Sequence, residues 1–228
     1  CIALAQLARP GEPVVYGGFT TNVDMKSGAP AFGTPEGAWA RFVGAQLARR
    51  YGVPYRGSGS LNTANLPDSQ ATAESLWSLW PCVMSHTNMV LHSAGWLESG
   101  LTVSLEKFVM DVENLAMMQH MLHGPKWDDA SFGLDAIHEV GPGGHNFGTA
   151  HTQERFETAF YPSFLHDRRN FGTWQEGGSE STAQRAHKLW KQLLKEYEQP
   201  MLDIAVRESL EAFMVKRSKE LENVALYD

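Results

Sequence analysis

The chain has 228 residues, of which 43% are hydrophobic and 20% charged, with a formal net charge of −7. That length can bury a sizeable core, and an aromatic share of 11% does not belong to a disordered chain. The acidic balance argues against nucleic acid or an acidic membrane surface as partner, since both select for clustered Lys and Arg, and no apolar run approaches the roughly 20 residues of a membrane span.

Two cysteines, Cys1 and Cys82, make neither a disulfide framework nor a CxxC metal site, so a reducing compartment, the cytoplasm, is expected. The chain opens on CIALAQLARPGEP, which lacks an initiator methionine and a signal-peptide cleavage pattern. Its first ten residues read as the end of a helix closed by Arg9, Pro10 and Gly11, so the chain is expected to begin inside a larger fold.

PVVYGG, residues 13 to 18, is a β-branched and aromatic run stopped by glycines and reads as a buried strand. Thr34 and Pro35 then form an N-cap and N1 pair for a helix carrying Trp39, Phe42, Val43 and Leu47, ended by Arg49, Arg50 and Gly52. VPYRG, residues 53 to 57, starts the next strand. The glycine-rich loop RGSGSLNTANLP follows, and Asp68 caps a helix with Leu76, Trp77, Leu79 and Trp80. CVMSHTNMVLH, residues 82 to 92, is a third apolar run. Strand, loop and helix recur at the length of a βαβ crossover, which predicts a parallel sheet with its functional loops at the strands' carboxyl ends. Ser104 to Gly124 predicts a capped amphipathic helix, residues 128 to 140 a further helix, and Ser181 to Glu198 and Pro200 to Val224 two long helices.

RGSGSL fits neither GxGxxG opening into a helix nor GxxxxGK[ST]; a turn needing positive φ is the alternative to a phosphate loop. Of the nine histidines, His86 and His92, and His145 and His151, stand six apart, which matches no recognised metal-ligand spacing, and no metal is expected. His86, Asn88 and His92 share a parity on a strand and are pocket candidates. Trp77, Trp80 and Trp190 are expected in the core. Tyr16, Phe19 and Tyr55 lie at strand ends beside glycines, where a ring can face a quaternary ammonium group by cation–π attraction. No nucleophile elbow is present, and Cys82 sits in an apolar run, so a protein nucleophile is not expected.

YRGSGSLNTANLPDSQATAES, SAGWLESGLTVSLEKFVMDVE and GPGGHNFGTAHTQERFETAFYPSFLHDR, followed by Trp174, resemble three successive blocks of the trimethylamine methyltransferase family, over nearly the whole chain and in the family's order. The resemblance is to the C-terminal half of a family member. It implies an α/β fold, the C-terminal part of a (β/α)8 TIM-type barrel: residues 1–103 would hold the last βα units and residues 104–228 a helical region packing on the barrel. It further implies transfer of a methyl group from a methylated amine to the Co(I) of a corrinoid carried by a separate protein, with no cofactor held tightly by this chain. No pyrrolysine stands in the sequence, which favours a quaternary amine such as glycine betaine over trimethylamine; a quaternary-amine-binding protein without turnover is the alternative from another class. On this resemblance Tyr16, Phe19, Tyr55, Arg56, Asn62, His86 and His145 are expected to line the substrate pocket. Arg56 would meet either a substrate carboxylate or an acidic neighbour. Gly57, Ser58, Gly59 and Ser60 would leave room for the substrate or the approaching corrinoid protein. A half-barrel leaves two sheet edges unpaired, so a homo-oligomer or dependence on the missing half is expected. LNTAN and HNFG depart from the family's sequence in those loops.

Overall fold

The computed structural model describes residues 1–222 and Val224, in two compact units, Cys1–Lys191 and Gln192–Asp228. After a first helix, α1 (Ile2–Ala8), come β1 (Tyr16–Gly17) and an antiparallel pair, β2 (Asn22–Val23) with β3 (Pro30–Ala31). Helix α2 (Pro35–Tyr51) begins where Thr34 Oγ1 accepts the Gly37 N–H at 3.2 Å and ends at Gly52 with φ +66°. Strand β4 (Tyr55–Ser58) leads through the glycine-rich loop into α3 (Ser69–Met84), capped by Asp68, which accepts the Ala71 N–H at 3.1 Å. Strand β5 (Met89–Leu91) follows. The parallel sheet has the order β1-β4-β5, with Tyr16 opposite Tyr55 and Arg56 opposite Met89. The protein is thus a mixed α/β fold with a parallel sheet, and its crossover helices are α2 and α3.

Three local expectations are corrected. Only Tyr16 and Gly17 of the first apolar run join the sheet. The run from residue 82 is no single strand: α3 continues through Pro81 to Met84, because Ser78 Oγ donates to Leu61 O at 2.8 Å and Cys82 Sγ to Ser58 O at 3.2 Å, fixing its last turns against β4 and its loop. Trp77 and Trp80 are 56% and 37% exposed instead of lying in the core. The sheet-facing side of α3 is taken by Ser75, Ser78, Leu79 and Cys82, and helical periodicity turns both indoles away from it, into a groove of about 670 Å³ shared with Phe42 and Met84.

A second antiparallel pair, β6 (Trp96–Leu97) with β7 (Thr102–Val103), precedes α4 (Leu105–His123). Ser104 caps α4 by accepting the Lys107 N–H at 3.1 Å. The region expected as one helix over 128 to 140 is two, α5 (Asp129–Phe132) and α6 (Leu134–Val140), parted at Gly133 with φ +60°. Short helices α7 (Ala150–Gln153) and α8 (Phe171–Glu176) lead to α9 (Thr182–Glu196). Val109, Leu165 and Ala186 form a buried cluster there, with Trp190 packed against it. The second unit carries α10 (Ile204–Leu221), capped by Asp203, which accepts the Ala205 N–H at 2.9 Å.

Candidate functional site at the carboxyl ends of the parallel strands

Strand β4 divides the candidates by face. Tyr55 points to the helix layer: it is 3% exposed, clustered with Ala45 and Ala48, and its ring centroid lies 5.9 Å from that of Tyr16. Both tyrosines are therefore core-facing, since residues opposite one another in a register share a face. Gly57 shares that face, and a Cβ there would come within 3.0 Å of Cys82 Sγ. Arg56 and Ser58 fall on the opposite face. Arg56 is half-buried beside Gly17 and the exposed Met89, and among the described residues no side-chain hydrogen bond or ion pair engages its guanidinium.

The lean loop after β4 serves close approach of chain to chain. Gly57, Ser58, Gly59 and Ser60 are all buried, and a Cβ on Gly59 would meet Ser93 Oγ at 2.7 Å and Val90 Cγ1 at 3.0 Å. Gly59 admits the loop after β5 and Gly57 admits Cys82 at the end of α3, which corrects the expectation that these glycines leave room for substrate or a partner. Ser58 is held from two sides, its carbonyl accepting the Nε–H of buried Arg41 at 3.2 Å and its hydroxyl lying 3.3 Å from His92 Nδ1.

His92, just past β5, has φ +55°, a left-handed conformation that histidine tolerates better than most residues. Its ring stands edge-on to two aromatics, 5.5 Å from Phe19 and 5.1 Å from Trp96, and Phe19 continues to Phe32 at 5.6 Å. Burial, with a smaller contribution from the Arg56 charge, pushes the His92 pKa below its ordinary value. The imidazole is neutral at pH 7 and does not oppose a cation placed among these rings.

Phe19, Arg56 and Ser58 are thus brought to one end of the sheet. Asn62 is nearby but turned inward: it is 0% exposed, and its amide donates to Trp96 O at 2.5 Å, so it fastens the loop instead of facing a ligand. His86 lies at the other end of β5, exposed in the turn after α3, and His145 stands in an exposed turn after α6 beside Phe147. Neither joins the cluster. His92 was visible by its parity with His86, but parity does not tell which end of a strand faces the site. Trp96 and Arg41 carried no local signal beyond their residue type. Among the described residues no group of three or more His, Cys, Asp or Glu is placed to hold a metal, and no helix is long and apolar enough to cross a membrane.

A family model described as trimethylamine methyltransferase matches residues 1–222. A glycine betaine methyltransferase of Desulfitobacterium hafniense (strain Y51) is 41% identical over 220 residues, covering 96% of this chain and 46% of the relative. A trimethylamine methyltransferase of Methanosarcina barkeri (strain Fusaro) is 32% identical over 220 residues, covering 96% of this chain and 44% of its own. A trimethylamine methyltransferase of D. hafniense (strain DCB-2) is 31% identical over 196 residues. The chain spans somewhat less than half the length of these curated relatives.

Proposed function

The chain belongs to the trimethylamine methyltransferase family, and from that premise we propose that the protein transfers a methyl group from a quaternary amine of the betaine type to the corrinoid of a separate protein. The observation that carries the choice of substrate is Arg56: a half-buried guanidinium without a protein partner among the described residues, whose charge is felt by a neutral histidine that itself packs against Phe19 and Trp96. Of the two roles open to this arginine from sequence, an acidic neighbour is the one not found among the described residues. A betaine offers both complements, a carboxylate for the guanidinium and a trimethylammonium group for the faces of Phe19 and Trp96.

The chemistry asks little of protein acids and bases. The quaternary nitrogen keeps the electron pair of the broken C–N bond and leaves as a neutral tertiary amine, while the electron pair of Co(I) forms the new bond to carbon. Positioning of the N-methyl group and exclusion of water are what the chain supplies. The corrinoid is a substrate here, delivered by its carrier protein to the carboxyl ends of the strands.

In this reading β1, β4 and β5 are strands of a (β/α)8 barrel, residues 1–103 supply the strands and loops that frame the site, and residues 104–228 are the helical region that follows. The relatedness to a glycine betaine methyltransferase and the parallel sheet with α2 and α3 as crossovers support it. The apolar groove between α2 and α3 supports self-association of the complete protein, which we place in the cytoplasm.

The test is to mix the full-length protein anaerobically with cob(I)alamin and a panel of methylated amines while following the cobalt spectrum. Methylcobalamin formed with a carboxylate-bearing quaternary amine is the expected result. Transfer from trimethylamine alone would replace the substrate, and binding of betaine without transfer would make the protein a quaternary-amine binder.

A further inference from the structure

Helix α4 carries two fully buried, opposite charges one turn apart, Lys107 at 0% and Asp111 at 1% exposure. Lys107 Nζ donates to Asp111 Oδ1 at 2.5 Å and to Ser75 Oγ at 2.8 Å. Asp111 Oδ2 accepts the Gly95 N–H at 3.0 Å, and Ser75 Oγ donates to Ser60 O at 3.3 Å. Asn62 closes the set, donating to Trp96 O at 2.5 Å and to Ser75 Oγ at 3.4 Å. The bonds leaving the ion pair thus run towards two places, the loop after β4 and the loop after β5. Backbone bonds from the turn after β6 to the loop after β4, Glu98 N–H to Ala64 O at 2.9 Å and Ser99 N–H to Asn62 O at 3.1 Å, tie the segment that continues from Gly95 to the same loop.

A buried ion pair is a poor means of stabilising a helix against a sheet, since well-packed apolar residues of the same volume commonly do as well or better. What it supplies is directional bonding to backbone that has no other fixed partner. Burial pushes Lys107 down and Asp111 up, and the charge of each restrains the other's shift.

We propose that Lys107 and Asp111 are positioning residues of the amine site: from outside it, they fix the loop frame on which Trp96 and His92 hang, His92 packed between Trp96 and Phe19. This rests on the reading of those three rings as the place of the quaternary nitrogen. Neither charge touches that place; both act through Gly95 and Ser75.

The experiment uses the full-length protein with the double variant Lys107→Met/Asp111→Leu, an apolar pair that keeps the unbranched and the γ-branched shape of the two side chains, because a single substitution that strands one buried charge can simply fail to fold. Hydrogen exchange is read at the amides of residues 61–64 and 95–97, with α2 amides as the internal reference, beside the melting temperature and the kcat and KM for methyl transfer. The expected result is a melting temperature near or above the parent's, faster exchange confined to the two loops, and a fall in kcat/KM approaching 100-fold, the scale of an ångström of misplacement. Rescue of loop protection and turnover together by Lys107→Arg supports the same conclusion. Parent-like exchange in both loops of a folded double variant overturns the proposal, as does loosening of the loops with unchanged kcat/KM. Loss of betaine turnover in the parent protein itself would instead strike the amine-site reading, and the exchange data would still decide whether the pair holds the loops.

Discussion

Replacing Arg56 with Ala separates the two halves of a betaine. A hydrogen bond to a charged partner contributes about 1.5–3 kcal/mol, and Arg56 is half-buried, so water screens part of it and the lower end of the range applies. About 1.5–2 kcal/mol corresponds to a roughly 10- to 30-fold weaker Kd. Calorimetric titration of the full-length variant with glycine betaine should show that loss. Choline, which carries the same trimethylammonium group and no carboxylate, should bind parent and variant alike. Stability should change by less than about 0.5 kcal/mol, because the guanidinium makes no bond to the described protein. The variant should also return part of the His92 shift, since the Arg56 charge is the smaller of its two causes. Equal losses for glycine betaine and choline would refute the assignment of Arg56 to the carboxylate.

Gly59→Ala places a Cβ 2.7 Å from Ser93 Oγ and 3.0 Å from Ser93 Cα; overpacking of this kind costs about 1–3 kcal/mol, and an unchanged denaturation midpoint would mean that the two loops are not in contact. His92 has a depressed pKa, so the unfolded chain binds its proton more readily; the stability this gives is present above the ordinary 6.5 and lost as pH falls below it. His92→Gln should flatten that part of the stability profile, as followed by urea melts between pH 7.5 and roughly 5.5. Glu106 accepts from His187 at 2.7 Å and from Trp190 at 2.9 Å, which lowers its pKa from 4.5 to about 2. The carboxylate contributes stability above pH 4.5 that is lost as pH falls towards about 2, and Glu106→Gln should make circular dichroism across that window less steep.

What the sequence revealed follows from where each signal is local. The ends of α2, α3 and α4 were legible because a cap is a single residue with a single job: Thr34, Asp68 and Ser104 each accept a backbone N–H three residues on. The split of residues 82 to 92 was not legible, because a buried helical turn and a buried strand are both uninterrupted apolar runs. Its outcome depends on Ser78 and Cys82 bonding to carbonyls of β4 and its loop, seventeen and twenty-four residues away in sequence. The glycines of the loop were expected to leave room for a ligand or partner, whereas what stands against Gly59 is Ser93, which only the sheet order brings there. Tyr55 and Arg56 are neighbours in sequence with opposite fates, core and open face, and only the register with Tyr16 and Met89 assigns them.

The same limit applies to charge. Lys107 and Asp111, four apart on a helix, have the spacing of an ordinary solvated surface pair, whereas Arg56 in a strand beside glycines looks like a residue in need of a partner. The structure buries the first pair and leaves Arg56 without a side-chain partner among the described residues. The buried pair has its opposite charge supplied by the protein, so its bonds can be used to hold backbone in place. Arg56 has no such supply among the described residues: it stands half-buried, near enough to His92 for its charge to be felt there, with its guanidinium open to a carboxylate from outside the chain. In the proposed reading, the charge partnered within the chain belongs to the frame of the site, and the charge left without one belongs to the ligand's place.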